Sequence, residues 1–226
     1  IKTLLSLFFV FTITITLTAQ RQYAGSVIAY STQWSTPNWD ATQATGAPNT
    51  YPSCGDIITA WASASADGQR EFLVLGFTTP QPVSVINIWE TYNPGAVDTI
   101  YLRNASNGQW NSVYSGTATP ATCARIFTVS ITQTTYNVDA IRLAINSPAI
   151  ASWNEIDAVE IQNNCSTTVT ASTNVLCFGD CNGTATVTAT GQSPFTYSWT
   201  TTPSQTTASA SALCAGTYTC FVTDAN

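Results

Sequence analysis

Residues 83–103 read VSVINIWETYNPGAVDTIYLR. Val83 to Glu90 is rich in β-branched and aromatic side chains and predicts a strand. Asn93-Pro94-Gly95 is a turn signal, because Pro presets one backbone angle and Gly accepts what other residues resist. Asp98 to Arg103 then alternates, with Ile100 and Leu102 on one face and Tyr101 and Arg103 on the other. Outward from this strand–turn–strand unit the same grammar recurs. Phe72-Leu73-Val74-Leu75 is apolar on both faces, as a strand inside a sandwich would be. Phe127, Val129 and Ile131 share a face against Thr128 and Ser130. Ile141, Leu143 and Ile145 do so against Arg142 and Ala144. Glu155 to Ile161 is the last strand of the region, and Asn107-Gly108 marks a further turn. The best helical segment is Asn38 to Thr45, one or two turns long. Many short strands between regular turns predict an all-β antiparallel sandwich.

Composition changes near Cys165. Before it lie all five arginines and six of the seven tryptophans, and after it comes a Thr/Ala/Ser-rich tail with almost no charge. The boundary is placed between Asn163 and Thr168. Thr184–Thr190, Phe195–Thr200 and Thr217–Thr223 read as strands of a second, smaller unit. About sixty residues make a small core, which a disulfide would help to hold.

The charge balance excludes function classes. Charged residues make up 8% of the chain, the net charge is −6, and the sole lysine is Lys2. Nucleic acid and anionic lipid both need clustered Lys and Arg, so neither is an expected partner. The chain has no histidine, which removes imidazole-dependent triads, dyads and the common zinc hydrolase sites. Residues 1–19 (IKTLLSLFFVFTITITLTA) have the three-part form of a signal peptide, with cleavage expected after Ala19. The apolar run is short for a bilayer span, and no other stretch is long enough. Seven cysteines fit an oxidising compartment. They are Cys54, Cys123, Cys165, Cys177, Cys181, Cys214 and Cys220; spacing does not determine their connectivity.

Two sets of motifs resemble known families. The first comprises Trp39-Asp40-Ala41 with Thr45-Gly46-Ala47-Pro48-Asn49, Tyr51-Pro52-Ser53-Cys54-Gly55-Asp56 running to Ala60-Trp61, and Glu71 to Phe77. Its most specific member is Glu90-Thr91-Tyr92-Asn93-Pro94-Gly95-Ala96-Val97. Together these resemble the scarf module of pappalysin metalloproteases and the related amino-terminal domain of an F-box, leucine-rich-repeat protein. The resemblance covers roughly Tyr23 to Ile161. It implies a jelly-roll sandwich of the galactose-binding-like, discoidin type, a binding module without enzymatic activity. The second set runs from Val175-Leu176-Cys177-Phe178-Gly179-Asp180-Cys181 through Pro194–Trp199 to Leu213-Cys214-Ala215-Gly216-Thr217-Tyr218 and Val222–Asn226. It is similar to the SprB repeat of Bacteroidetes surface adhesins. That likeness implies a short immunoglobulin-like sandwich, further repeats downstream and export by the type IX system. Such repeats continue Asp-Ala-Asn-Gly-Cys, so the repeat is expected to be truncated at Asn226. The expected organisation is thus a signal peptide (1–19), a galactose-binding-like sandwich (20–164) and a truncated SprB-like repeat (165–226). Cys181 is paired with Cys214, leaving Cys177 for the absent cysteine. Cys54 with Cys123 is taken as a bridge of the first domain, and Cys165 and Cys220 are left unplaced.

Ligands of sandwich modules sit on loops at one end, where side chains are free of core duty. The Glu90–Gly95 loop offers a carboxylate, an aromatic face and an amide, a set suited to a sugar ring. The candidate ligand-binding residues are Glu90, Tyr92, Asn93, Trp61 and Arg103. A competing reading makes the loop conformational, with Pro94-Gly95 setting a turn, Tyr92 packing and Glu90 capping a strand end. Asp40 and Glu160 are candidate ligands of a structural calcium, which wants oxygen donors; Glu160 is placed on one face with Ile156 and Ala158. Glu155, Asp157 and Glu160 lie on one short strand and do not straddle a substrate as a glycosidase pair must. The expected protein is therefore non-catalytic, secreted or on the cell surface, and binds a glycan or another surface ligand. Two alternatives compete: a stalk or spacer, and the targeting part of a larger exported enzyme.

Overall fold

A computed structural model describes residues 12–16, 21–163, 166–173, 180–190 and 194–223. Two compact units result: Arg21–Asn163, and Asn164–Asn226 together with Ile1–Gln20. Both are built from strands, as the alternating patterns require.

In chain order the strands are β1 (Thr12–Thr16), β2 (Arg21–Tyr23), β3 (Ser26–Tyr30), β4 (Glu71–Gln81), β5 (Val85–Tyr92), β6 (Val97–Asn104), β7 (Trp110–Ser115) and β8 (Arg125–Ser130). They continue with β9 (Val138–Ile145), β10 (Glu155–Gln162), β11 (Ser166–Thr173), β12 (Gly183–Thr190), β13 (Thr196–Trp199), β14 (Ser209–Leu213) and β15 (Thr217–Thr223). The larger unit pairs a four-stranded sheet, β2-β10-β5-β8, with a five-stranded one, β3-β4-β9-β6-β7. All its strand pairs are antiparallel. Their inner faces meet in one core: Ile86, Ile88, Val159 and Ile161 from one sheet, and Leu73, Leu75, Ile100, Leu102, Ile141 and Leu143 from the other. The helical expectation over Asn38–Thr45 becomes a 3₁₀ turn, Ala41–Ala44, capped by the Asp40 side chain.

β10 departs from simple alternation. Its first seven residues are all buried. The register slips twice, so that Ile156 faces Glu90 and Ala158 faces Trp89, with Asp157 as the extra residue of a bulge. The slip moves Ile156 into the core with Val159 and Ile161. Glu160 therefore does not share a face with Ile156, as uninterrupted alternation had implied.

In the smaller unit, β11-β12-β14 and β1-β15-β13 form two three-stranded sheets. Trp199 is its largest buried side chain, among Ala185, Val187, Ala210, Leu213, Cys220 and Val222. The Trp199 indole N–H donates to Thr207 O at 2.9 Å. Disulfides join Cys54 to Cys123 and Cys181 to Cys214, and Cys220 is a buried free thiol. Cys165 and Cys177 lie outside the described residues, as does most of the signal-peptide segment. From that segment Thr12–Thr16 is described, pairing in parallel with β15.

Candidate functional site

The three acids of β10 hold the larger unit together. Asp157, turned aside by the bulge, accepts the backbone N–H groups of Asn49, Thr50 and Tyr51 at 2.9–3.2 Å. Glu160 takes the Arg21 guanidinium in a fork, Nε to Oε1 at 2.7 Å and Nη2 to Oε2 at 3.2 Å. Glu155 Oε2 accepts the Ile57 N–H at 3.3 Å. The long segment between the 3₁₀ turn and β4 is thereby anchored across the sheet end. Trp61 adds two backbone bonds to Ile156 and an indole bond to Thr32 O.

The residues expected to bind ligand occupy different places. Glu90 is buried; it accepts the Gly95 N–H at 3.0 Å and pairs with Arg125. This latches the Asn93-Pro94-Gly95 turn, in which Gly95 has φ of 115° and its hydrogen points at Thr119 O. Trp61 is fully buried and presents no face to solvent. Arg103 sits six residues along β6 from Val97, roughly 20 Å from the turn, paired with Asp139 and stacked over Trp110. Tyr92, half-buried, lies opposite Glu155 in the β-ladder. Asn93 donates through Nδ2 to Trp153 O and accepts at its carbonyl from Asn154 Nδ2. Glu90 and Asn93 are thus engaged within the chain, in the turn itself and at Trp153 and Asn154.

What the loop helps to position is an open cleft of about 220 Å³ lined by Trp34, Trp39, Asp56, Ala62 and Trp153. Trp34 is 52% exposed and meets Trp153 edge to face, with centroids 5.3 Å apart and planes at 82°. The irregular segment carrying Trp34 and Trp39 is pinned by backbone bonds, Trp34 N to Ala62 O, Trp39 N to Ile58 O and Ala62 N to Trp39 O. Trp39 takes φ of 54°, a conformation ordinary residues avoid. Behind the cleft, Glu155 lies against Asp56 and the Trp39 indole. Burial pushes Glu155 up to about 8; the Ile57 N–H pulls against this and Asp56 adds to it. The Trp39 indole N–H faces the Glu155 carboxyl, and Trp153 Nε1 is buried without a hydrogen-bond partner.

The two expected calcium donors both have partners within the chain. Asp40 Oδ1 accepts from Thr42 N and Oγ1 as the cap of the 3₁₀ turn, and Glu160 is neutralised by Arg21. Among the described residues no group of three metal-binding side chains assembles.

The model of the family described as pappalysin-1, SD scarf domain, C-terminal, matches residues 16–172, well over half the chain. The chain belongs to that family. A SprB repeat model matches residues 169–203, so the scarf module is followed by SprB-like sequence. The F-box/LRR-repeat protein 4 of Bos taurus is 28% identical over 171 residues, an alignment covering 61% of this chain and 28% of that protein. The chain thus spans little more than a quarter of that relative. Among solved structures, a chitosan-binding module from the chitosanase/glucanase of Paenibacillus sp. IK-5 is 17% identical, with 61% of this chain and 96% of that one covered and a TM-score of 0.44. A family 32 carbohydrate-binding module from Streptococcus pneumoniae EndoD is 13% identical, covering 57% and 93%, with a TM-score of 0.42.

Sequence reasoning passes over Trp34 and Trp153 and includes Trp39 and Asp56 only within family motifs. One signal was available. These three tryptophans fall outside every strand pattern, and a large aromatic on an irregular segment is either packed under a loop or displayed by it.

Proposed function

We propose that the scarf module binds a saccharide in the Trp34–Trp39–Trp153 cleft, as part of an exported, non-catalytic surface protein. One observation carries the reading: three indoles and a carboxylate border one open cleft at the loop end of a rigid sandwich. Indole faces match the apolar C–H face of a sugar ring, and polar groups at the rim fix its orientation. Asp56, exposed at the rim, accepts from hydroxyls. The backbone around the cleft is held by bonds that do not involve the ligand, so little ordering entropy opposes binding.

The adjoining SprB-like sequence supports a setting on a cell surface, in a longer chain with further repeats and type IX export from a Bacteroidetes cell. In that chain the scarf module binds and the repeat displays it. Among the described residues no helix is long and apolar enough to cross a membrane.

The test is a glycan array followed by titration of the hits. Trp34→Ala should weaken binding by about tenfold or more without loss of fold, since Trp34 is 52% exposed. Tyr92→Ala should weaken it less, because Tyr92 does not line the cleft. A blank array with folded protein sinks the proposal.

A further inference from the structure

The cleft's chemistry narrows the ligand's charge. Trp34 and Trp153 stand nearly perpendicular, so two indoles bound a single corner. Indole faces carry negative quadrupole charge and attract a cation within about 6 Å. Asp56 places an exposed carboxylate on the same lining. Behind it, Glu155 is 1% exposed, with one oxygen held by Ile57 N–H and the carboxyl lying against Asp56 and the Trp39 indole. Burial beside Asp56 keeps Glu155 protonated at neutral pH, as happens to a carboxyl that lacks a counter-charge.

Among the described residues no such counter-charge is supplied. Arg21, Arg70, Arg103 and Arg125 are each paired with a carboxylate, and Arg142 stacks over Phe72 and Tyr101. None of the five lines the cleft. Aromatic walls, the exposed Asp56 carboxylate and the absence of a lining cation suit an ammonium group and repel a carboxylate or phosphate.

We infer that the cleft selects a saccharide bearing a free, protonated amine over its N-acetylated or neutral counterpart. This rests on the saccharide reading above and adds charge selectivity to the same site.

The test is calorimetric titration of the whole chain, near pH 6 and at low salt, with equal-length oligomers of glucosamine, N-acetylglucosamine and glucose. The glucosamine oligomer should bind at least about tenfold more tightly than the other two. The preference should shrink towards one in Asp56→Asn and fall with added salt, and Trp34→Ala should weaken all binding. Equal affinity for the three oligomers, or preference for the acetylated one, overturns the charge inference and leaves the saccharide reading standing. Tight amine binding unchanged in both variants places the contact elsewhere on an acidic surface and overturns it too. No binding of any oligomer by folded chain overturns both.

Discussion

Glu155→Gln should stabilise the larger unit, and increasingly so as pH rises. An isolated glutamic acid titrates near 4.5, whereas in the fold Glu155 is pushed up to about 8. Between those values the folded chain holds a proton that the unfolded chain has released. Stability therefore falls with rising pH, by at most about 1.4 kcal/mol per unit for one such group. The favourable state is fully present below about pH 4.5 and is lost as pH climbs to the folded value. Glutamine carries no charge at any of these pH values, so the slope contributed by this position disappears. Its carbonyl still accepts the Ile57 N–H, and its amide donates towards Asp56, so the low-pH stability should barely change. Between pH 5.5 and 7.5 the gap between variant and wild type should widen by about 2 to 3 kcal/mol, the lower figure allowing for water at the cleft. Urea denaturation followed by tryptophan emission measures this directly, because six of the seven tryptophans lie in Arg21–Asn163. Other titrating groups cancel in the comparison. Parallel profiles for the two proteins would show that Glu155 ionises normally and that nothing distinctive lies behind the cleft.

Asp157→Ala should cost about 3 kcal/mol or more, since it strips the shared acceptor from the N–H groups of Asn49, Thr50 and Tyr51; an unchanged denaturation midpoint would refute the anchoring role. Replacing Cys54 and Cys123 together by Ser reopens a loop of 69 residues' separation and should lower stability by about 4 kcal/mol, read as the shift in urea midpoint. Gly95→Ala should be severe, because a Cβ there would lie 1.9 Å from Thr119 O at a φ of 115°; the assay is soluble yield and thermal melting. Calcium at Asp40 or Glu160 would have to displace Thr42 or Arg21, so neither added calcium nor EDTA should move the melting temperature, and a calcium-dependent rise would reinstate that site.

The strands legible in the sequence are those whose two faces meet different surroundings. Ile100 and Leu102 are buried while Tyr101 and Arg103 are not, and the alternation states this outright. β3 and β7, the edges of the five-stranded sheet, carry weaker patterns and escape such a reading. β14 is nearly all small residues, so its periodicity has little amplitude. The site is hidden for a different reason. Trp34 and Trp153 stand 119 positions apart, on segments whose shape comes from long-range backbone bonds rather than from local pattern. By contrast, the Glu90–Gly95 loop resembles a binding surface because it concentrates polar groups in sequence. In the fold Glu90 and Asn93 are taken up by Gly95, Arg125, Trp153 and Asn154.

The distinction generalises within this molecule. Asp157, Glu160 and Glu90 each hold a segment of their own chain: the loop at Asn49–Tyr51, the strand at Arg21, the turn at Gly95. In a protein with so few cations, an acid that finds a backbone N–H or one of the five arginines is stabilising the fold. Glu155 differs: it takes only one backbone N–H, from Ile57, has no arginine, and lies against Asp56 and Trp39 of the cleft. The proposed function puts the ligand at the Trp34–Trp39–Trp153 corner, in front of this carboxyl. The most distinctive motif in the chain turns out to be the support for that corner rather than its lining.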